Sequence, residues 1–252
     1  MEIVDLNGSP VTPQPFDLLG FRDMGILGKI VTLGEKLEIG VAQFSHVGIV
    51  ITAEVLDHPN LDPKKIYVFE STTSLAVPGA DTPPDALTGH GYLGVQLREL
   101  PEVIASYEED GASKVALCRL RNNPWNEKAH RPTLRTTFTR LFKTYYHAFY
   151  EMSAITMAAS LFPELRSVRK ARHELIGQIG EKLEKWGFAT PINPNKWQFC
   201  SELVARTYQA IGMLPLTIEP ENVVPIDFLV DGDSEVPRIV DDPVYLKIRK
   251  NS

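Results

Sequence analysis

The fold expected for this chain is decided by the stretch Phe44–Thr52, FSHVGIVIT. Both of its alternating sets of positions are mostly apolar, which is typical of a strand buried on both faces at the centre of a sheet. A second strand is predicted over Lys65–Ser71, which is rich in β-branched and aromatic residues. The turn-forming segment Asp57–Pro63 separates the two, so we expect an antiparallel pair at the core of the protein.

Shorter strands are predicted on either side of this pair, over Phe16–Phe21, Ser113–Leu120 and Val244–Ile248. Residues 1–16 contain three prolines and are expected to form an irregular arm.

The middle of the chain has a helical character. Apolar residues recur at three- and four-residue spacing from Leu134 to Phe149 and again from Leu175 to Leu183. We therefore predict a single α+β domain over 1–252, with an antiparallel sheet at its core and a helical insertion at 126–190.

The composition excludes several classes of protein. The formal net charge is −6, which disfavours a general nucleic-acid binder. Two cysteines, Cys118 and Cys200, cannot form a disulfide framework. The chain has no apolar run of bilayer length, and Met1–Asp5 carries acids where a signal peptide has basic residues. We expect a cytoplasmic protein.

Cys200 lies where a loop is predicted to become an amphipathic helix, in the segment Trp197–Val204, WQFCSELV. Backbone N–H groups in the first turn of a helix lack intrahelical partners, and the helix dipole favours negative charge there. Both effects stabilise the thiolate, which is the nucleophilic form of cysteine. Gly212 is a suitable C-terminal stop for this helix. The predicted inward face consists of Leu203, Val204, Thr207, Ala210 and Ile211.

A nucleophilic cysteine needs a base within hydrogen-bond reach and a third group that orients the base. His46 on the first predicted strand suits the role of base, and Glu70 on the second suits that of orienting acid. Each residue also has a structural interpretation, because a cysteine or histidine among apolar residues commonly packs in the core and an acid can mark a strand end. Cys118, within an apolar strand, is expected to be a core residue.

Other chemistries lack their sequence signatures. The histidines and cysteines have no zinc-ligand spacing, and there is no serine nucleophile elbow, phosphate-binding loop or dinucleotide fingerprint. We therefore expect neither a metal nor a cofactor.

Taken together, these segments resemble the circularly permuted NlpC/P60 family, papain-like amidases of the YiiX/YaeF type. A histidine strand containing Ser45–Ile49 comes first, a strand ending in Glu70 follows, and a late helix begins with Phe199–Val204. Ordinary papain-like enzymes have the cysteine helix before the histidine. Phe16–Leu19 resembles the Gly-Asp-rich strand that opens the family's domain, with phenylalanine where glycine is usual, and Val223–Phe228 resembles the segment after its cysteine helix.

The resemblance implies a papain-like fold and a catalytic triad of Cys200, His46 and Glu70. It covers roughly 16–120 and 195–230, and the sequence departs from the family between 121 and 196, where the helices are longer than usual.

The leading functional hypothesis is a cysteine-dependent amidase or peptidase acting on a peptide or cell-wall-like amide. The first alternative is a lipid-directed acyl hydrolase or acyltransferase with the same triad, since 145–172 combines an apolar stretch with basic residues suited to peripheral membrane contact. The second is a non-catalytic binding module that retains the fold.

Overall fold

The computed structural model of the chain describes residues 1–22, 44–72, 83–92, 94–109, 114–148, 199–229 and 236–249.

A seven-stranded sheet, antiparallel at every pairing, forms the centre of the protein. Its strands are β1 (Glu2–Asp5), β2 (Leu18–Arg22), β3 (His46–Thr52), β4 (Ile66–Thr72), β5 (Gly94–Glu99), β6 (Lys114–Cys118) and β7 (Val244–Arg249). In space they follow the order β1-β7-β6-β2-β3-β4-β5. β3 is therefore an interior strand, as its apolar sequence predicts.

Three α-helices lie in the described residues: α1 (Leu100–Glu109), α2 (Arg131–Tyr145) and α3 (Cys200–Ala210). Short 3-10 helices occur at Pro124–Asn126, Pro220–Asn222 and Pro225–Phe228. The structure thus has the antiparallel sheet and separate helices expected of the α+β class.

The helices cover both faces of the sheet and create two apolar layers. α2 and α3 pack on the face that carries Val47, Ile49 and Phe69. α1 packs on the opposite face, which carries Val50 and Val68. Because successive strand residues point to opposite faces, β3 must be apolar at nearly every position to serve both layers.

The predicted central pair is confirmed. β3 and β4 are antiparallel neighbours, with a register that runs from Ile49 opposite Phe69 to Thr52 opposite Ile66. The strands predicted in three other places are also present, as β2, β6 and β7.

Two predictions are wrong. Residues 1–16 are not wholly irregular, because β1 pairs with β7 and places Glu2 opposite Arg249. A strand of four residues next to prolines carries too little local pattern to be recognised, and its pairing partner lies at the other end of the chain. Ala210, predicted on the inward face of α3, is exposed, because it ends the last turn of the helix.

Within the predicted helical insertion, the structure describes α2, which buries Leu134, Phe138, Leu141 and Phe142. Residues 149–198 lie outside the described parts, so most of the segment 145–172 considered for membrane contact does as well. The insertion at 126–190 and the single-domain assignment stay predictions. Among the described helices, none is both long enough and apolar enough to cross a bilayer.

Candidate active site

His46 is the first residue of β3, at the end of the sheet where the strand begins. It lies opposite Phe21 of β2, and the two rings are 5.0 Å apart between centroids. The imidazole is buried, with 11% of its side chain exposed. Its position on an interior strand fixes the ring against the sheet and leaves little freedom of rotation.

Glu70 of β4 accepts a hydrogen bond from this imidazole. Nε2 of His46 donates to Oε2 of Glu70 at 2.6 Å, and the carboxylate is fully buried. Gly48 makes this approach possible, because a Cβ there would lie 2.7 Å from Cγ2 of Val68 and 3.1 Å from Cβ of Glu70. The glycine in FSHVGIVIT therefore makes room for the acid that orients the histidine.

Cys200 is the first residue of α3, and its thiol lies beside the imidazole of His46, with which it interacts electrostatically. Since Nε2 of His46 is taken by Glu70, Nδ1 is the nitrogen available to the sulfur. The backbone N–H groups of Val47 and Ser201 also donate to the thiol. Val47 pairs with Gly20 of β2, but the β3–β4 register begins only at Ile49, so on its β4 side Val47 lies ahead of the paired residues.

The start of α3 is held in place by contacts on both sides. The first hydrogen bond of the helix runs from Leu203 N–H to Phe199 O, so the N–H groups of Cys200 and Ser201 lie ahead of the helical bonding pattern. The hydroxyl of Ser201 donates to Val223 O at 2.6 Å, and the hydroxyl of Tyr208 donates to Phe16 O at 3.0 Å. These hydrogen bonds connect the helix to the 220–228 segment and to Phe16, which lies just before β2.

The electrostatics of the pair favour charge separation. Burial by itself lowers the pKa of His46, but the neighbouring Cys200 sulfur and the Glu70 carboxylate raise the pKa to about 9. Burial by itself raises the pKa of Cys200, but His46 and the N–H groups of Val47 and Ser201 bring it below its usual range. The arrangement therefore stabilises a thiolate beside an imidazolium.

Glu70 is held by a second cation that the sequence did not reveal. Arg98 of β5 is 1% exposed, and its Nε donates to Oε1 of Glu70 at 2.6 Å. Nη2 of Arg98 lies in ion-pair contact with the same oxygen. Burial alone would raise the pKa of the Glu70 carboxyl, but Arg98 and His46 hold it below its usual range.

The alternation of Val95, Gln96, Leu97 and Arg98 is a usable strand signal that the sequence analysis did not take up. The same alternation would place Gln96 and Arg98 in solvent, whereas the structure buries both. The burial of Arg98 depends on its pairing with β4 and is not visible locally.

The segment Phe16–Leu19, which carried a weaker part of the resemblance, has a structural role. Phe16 has a left-handed backbone with φ of 70°, a conformation that glycine adopts without strain. Its ring packs against Trp125 and Phe138, so packing stabilises the strained position. The Asp17 carboxylate accepts hydrogen bonds from Arg119 at 2.8 Å and from Leu120 N–H at 3.0 Å. It does not contact the Cys200 thiol, so its role is to hold the strands together.

The structure thus brings Cys200, His46 and Glu70 together, and their assignment as a catalytic triad stays a prediction. It places Cys118 in the interior of the sheet, fully buried, as expected of a core residue. Within the described ranges there is no group of three or more histidine, cysteine or acidic side chains arranged to hold a metal ion.

The chain was compared with known proteins. No protein-family model matches the sequence, and a search of curated proteins finds no match.

Proposed function

We propose that this protein is a cysteine-dependent hydrolase of the amidase or peptidase kind. Cys200 is the nucleophile, His46 the general base and acid, and Glu70 the group that orients His46. The observation that carries the proposal is the placement of the Cys200 thiol beside the His46 imidazole, which is itself hydrogen-bonded to the buried Glu70 carboxylate. Nucleophilic cysteine enzymes need this order of groups.

In the first half of the reaction, the Cys200 thiolate attacks the carbonyl carbon of an amide. A carbon–sulfur bond forms, and the carbonyl π electrons move onto oxygen. Backbone N–H groups at the start of α3, including that of Cys200, are suitably placed to stabilise this oxyanion. The carbon–nitrogen bond then breaks, and the leaving amine takes the proton from Nδ1 of His46.

In the second half, water hydrolyses the thioester. Neutral His46 takes a proton from the water as its oxygen bonds to the carbonyl carbon, and the sulfur leaves as thiolate beside the regenerated imidazolium. Glu70 holds Nε2–H throughout, so Nδ1 is always the nitrogen that exchanges the proton.

We further propose that the domain is papain-like in the permuted NlpC/P60 arrangement. The supporting features are a histidine strand that precedes the cysteine helix in the chain, an antiparallel sheet, and packing of the cysteine helix α3 against β3 and β4. On this basis the proposed substrate is an amide bond in a peptide or a cell-wall-like molecule.

The proposal is tested with a panel of peptide amides, cell-wall fragments and lipid acyl esters. We expect turnover of an amide substrate by the native protein and none by Cys200→Ala, with a covalent acyl adduct trapped on Cys200 and identified by mass spectrometry. Cys118→Ala is the matched control and should keep full activity.

Full activity in folded Cys200→Ala would overturn the proposal. Turnover of lipid esters alone would replace the amidase assignment with the acyl-hydrolase alternative, and no turnover or thiol reactivity at all would favour a binding module.

A further inference from the structure

Arg98 is a fully buried arginine whose guanidinium is directed at the acid of the candidate site. In the β4–β5 register Arg98 lies opposite Val68, and Gln96, two residues earlier on β5, lies opposite Glu70. Arginine is almost never fully buried without a partner, because removing its charge from water is costly. Its partner here is Glu70, which is buried to the same degree.

The two oxygens of Glu70 are divided between two cations. Oε2 accepts from His46 and Oε1 from Arg98, each at 2.6 Å. The carboxylate therefore cannot turn away from His46 without breaking its pairing with Arg98. Arg98 thus fixes the position of the acid as well as its ionisation.

The charges of the site balance only when Arg98 is counted. In the reactive state, Cys200 and Glu70 are negative, and His46 and Arg98 are positive. Without Arg98 the buried groups would carry a net negative charge, which a low-dielectric interior disfavours. Uptake of a proton would restore neutrality, and the sulfur would take it, because a thiolate is intrinsically far more basic than a carboxylate.

Among the described residues around the site, no other charged group duplicates this role. On α3, the buried carboxylate of Glu202 is paired with Arg206 at 2.8 Å, so the two charges compensate each other. On α1, Tyr107 contributes a phenol ring that packs on Phe21, the neighbour of His46. Arg22, at the end of β2, is exposed to solvent.

We infer that Arg98 is a positioning residue of the candidate site: it holds Glu70 in place against His46 and, as the fourth charge, balances the buried site so that Cys200 can remain a thiolate. The inference rests on the proposed function. It adds a residue that acts on the nucleophile through the position of Glu70 and the charge balance of the site, without touching the reacting atoms.

The test is the pH dependence of iodoacetamide alkylation at Cys200, followed by mass spectrometry on the full chain. Arg98→Met should move the midpoint of thiolate formation upward by about one pH unit, slowing alkylation below the midpoint about tenfold. Arg98→Lys keeps the charge and should stay close to the native midpoint. Arg119→Met is the matched control, since Arg119 also pairs with a buried carboxylate, that of Asp17, away from the thiol.

A second comparison avoids an orphaned buried carboxylate, should Arg98→Met fail to fold. Glu70→Gln leaves an excess positive charge and should lower the thiolate midpoint. Adding Arg98→Met to that variant restores neutrality and should raise the midpoint again.

The role of Arg98 would be overturned if folded Arg98→Met kept the native midpoint of thiolate formation at Cys200. It would also be overturned if Glu70→Gln and the double variant had the same midpoint. A native Cys200 with an ordinary thiol midpoint would instead overturn the proposed function, so the two failures are distinguishable.

Discussion

The two cysteines of this protein occupy equally buried positions and have opposite electrostatic surroundings. Cys118 lies on β6 opposite Leu18, where burial, with the nearby Asp17 charge, raises its pKa to about 12. Cys200 is 4% exposed, but His46 and two backbone N–H groups lower its pKa despite burial. Burial does not by itself make a thiol inert. A counter-charge held at hydrogen-bond distance decides the outcome.

Exchanging sulfur for oxygen at each position should separate the two roles most strongly. Cys200→Ser removes the nucleophile and should lower kcat about a thousandfold or more, with little loss of stability because the hydroxyl keeps His46 as a partner. Cys118→Ser should keep activity but lower the free energy of unfolding by about 1–3 kcal/mol, because it buries a hydroxyl among apolar groups. Steady-state kinetics and denaturant unfolding measure both. The reverse pattern would contradict the assignment.

Glu70→Gln should have the next largest effect. The amide cannot hold His46 as an anion does, so we expect kcat to fall about a hundredfold with little change in KM. Glu99→Gln is the matched control, because Glu99 lies near the end of the adjacent strand in a solvent-exposed ion pair with Lys65. Kinetics in which both variants behave alike would remove Glu70 from the site.

Gly48→Ala tests whether the close approach of β3 and β4 is needed. The added methyl meets Val68 and Glu70, so we expect a loss of about 1–3 kcal/mol in the free energy of unfolding and about tenfold in activity per folded molecule. Gly212→Ala strains a residue with φ of 79° in open space at the end of α3, and should reduce stability alone. Unchanged activity in folded Gly48→Ala would show that Glu70 tolerates displacement.

The smallest expected effect is on the titration of His46. Its pKa of about 9 owes most of its upward shift to the Cys200 sulfur. Removing that negative charge disfavours the imidazolium, so Cys200→Ser should lower the pKa of His46 by about one unit. Cys118→Ser should leave it unchanged. NMR titration of the ring nitrogens measures the shift, and equal values in all three proteins would argue against a charged pair.

The parts of the site that could be predicted are those with a local pattern. Local sequence patterns predict three elements: the apolar run predicts β3, the β-branched residues predict β4, and the amphipathic spacing predicts α3. The resemblance depends on the order of His46, Glu70 and Cys200 along the chain. The contacts among them could not be derived locally, since each joins strands or helices far apart in the chain.

Arg98 was missed for the same reason. In a half-buried strand its position would face solvent, and only the pairing of β5 with β4 brings it to Glu70. β1 shows the extreme case, because its partner β7 is at the opposite end of the sequence. Pairing between distant strands is a property of the whole fold.

The reactivity of the two thiols can be compared directly by their relative alkylation rates in the native protein at pH 7, measured at each cysteine by mass spectrometry. Burial raises the pKa of Cys118 to about 12, so its thiol stays protonated at pH 7, whereas His46 holds the pKa of Cys200 below its usual range and so favours the reactive thiolate there. We predict rapid modification of Cys200 and modification of Cys118 only after unfolding. Equal rates at the two sites, or faster reaction at Cys118, would contradict the account.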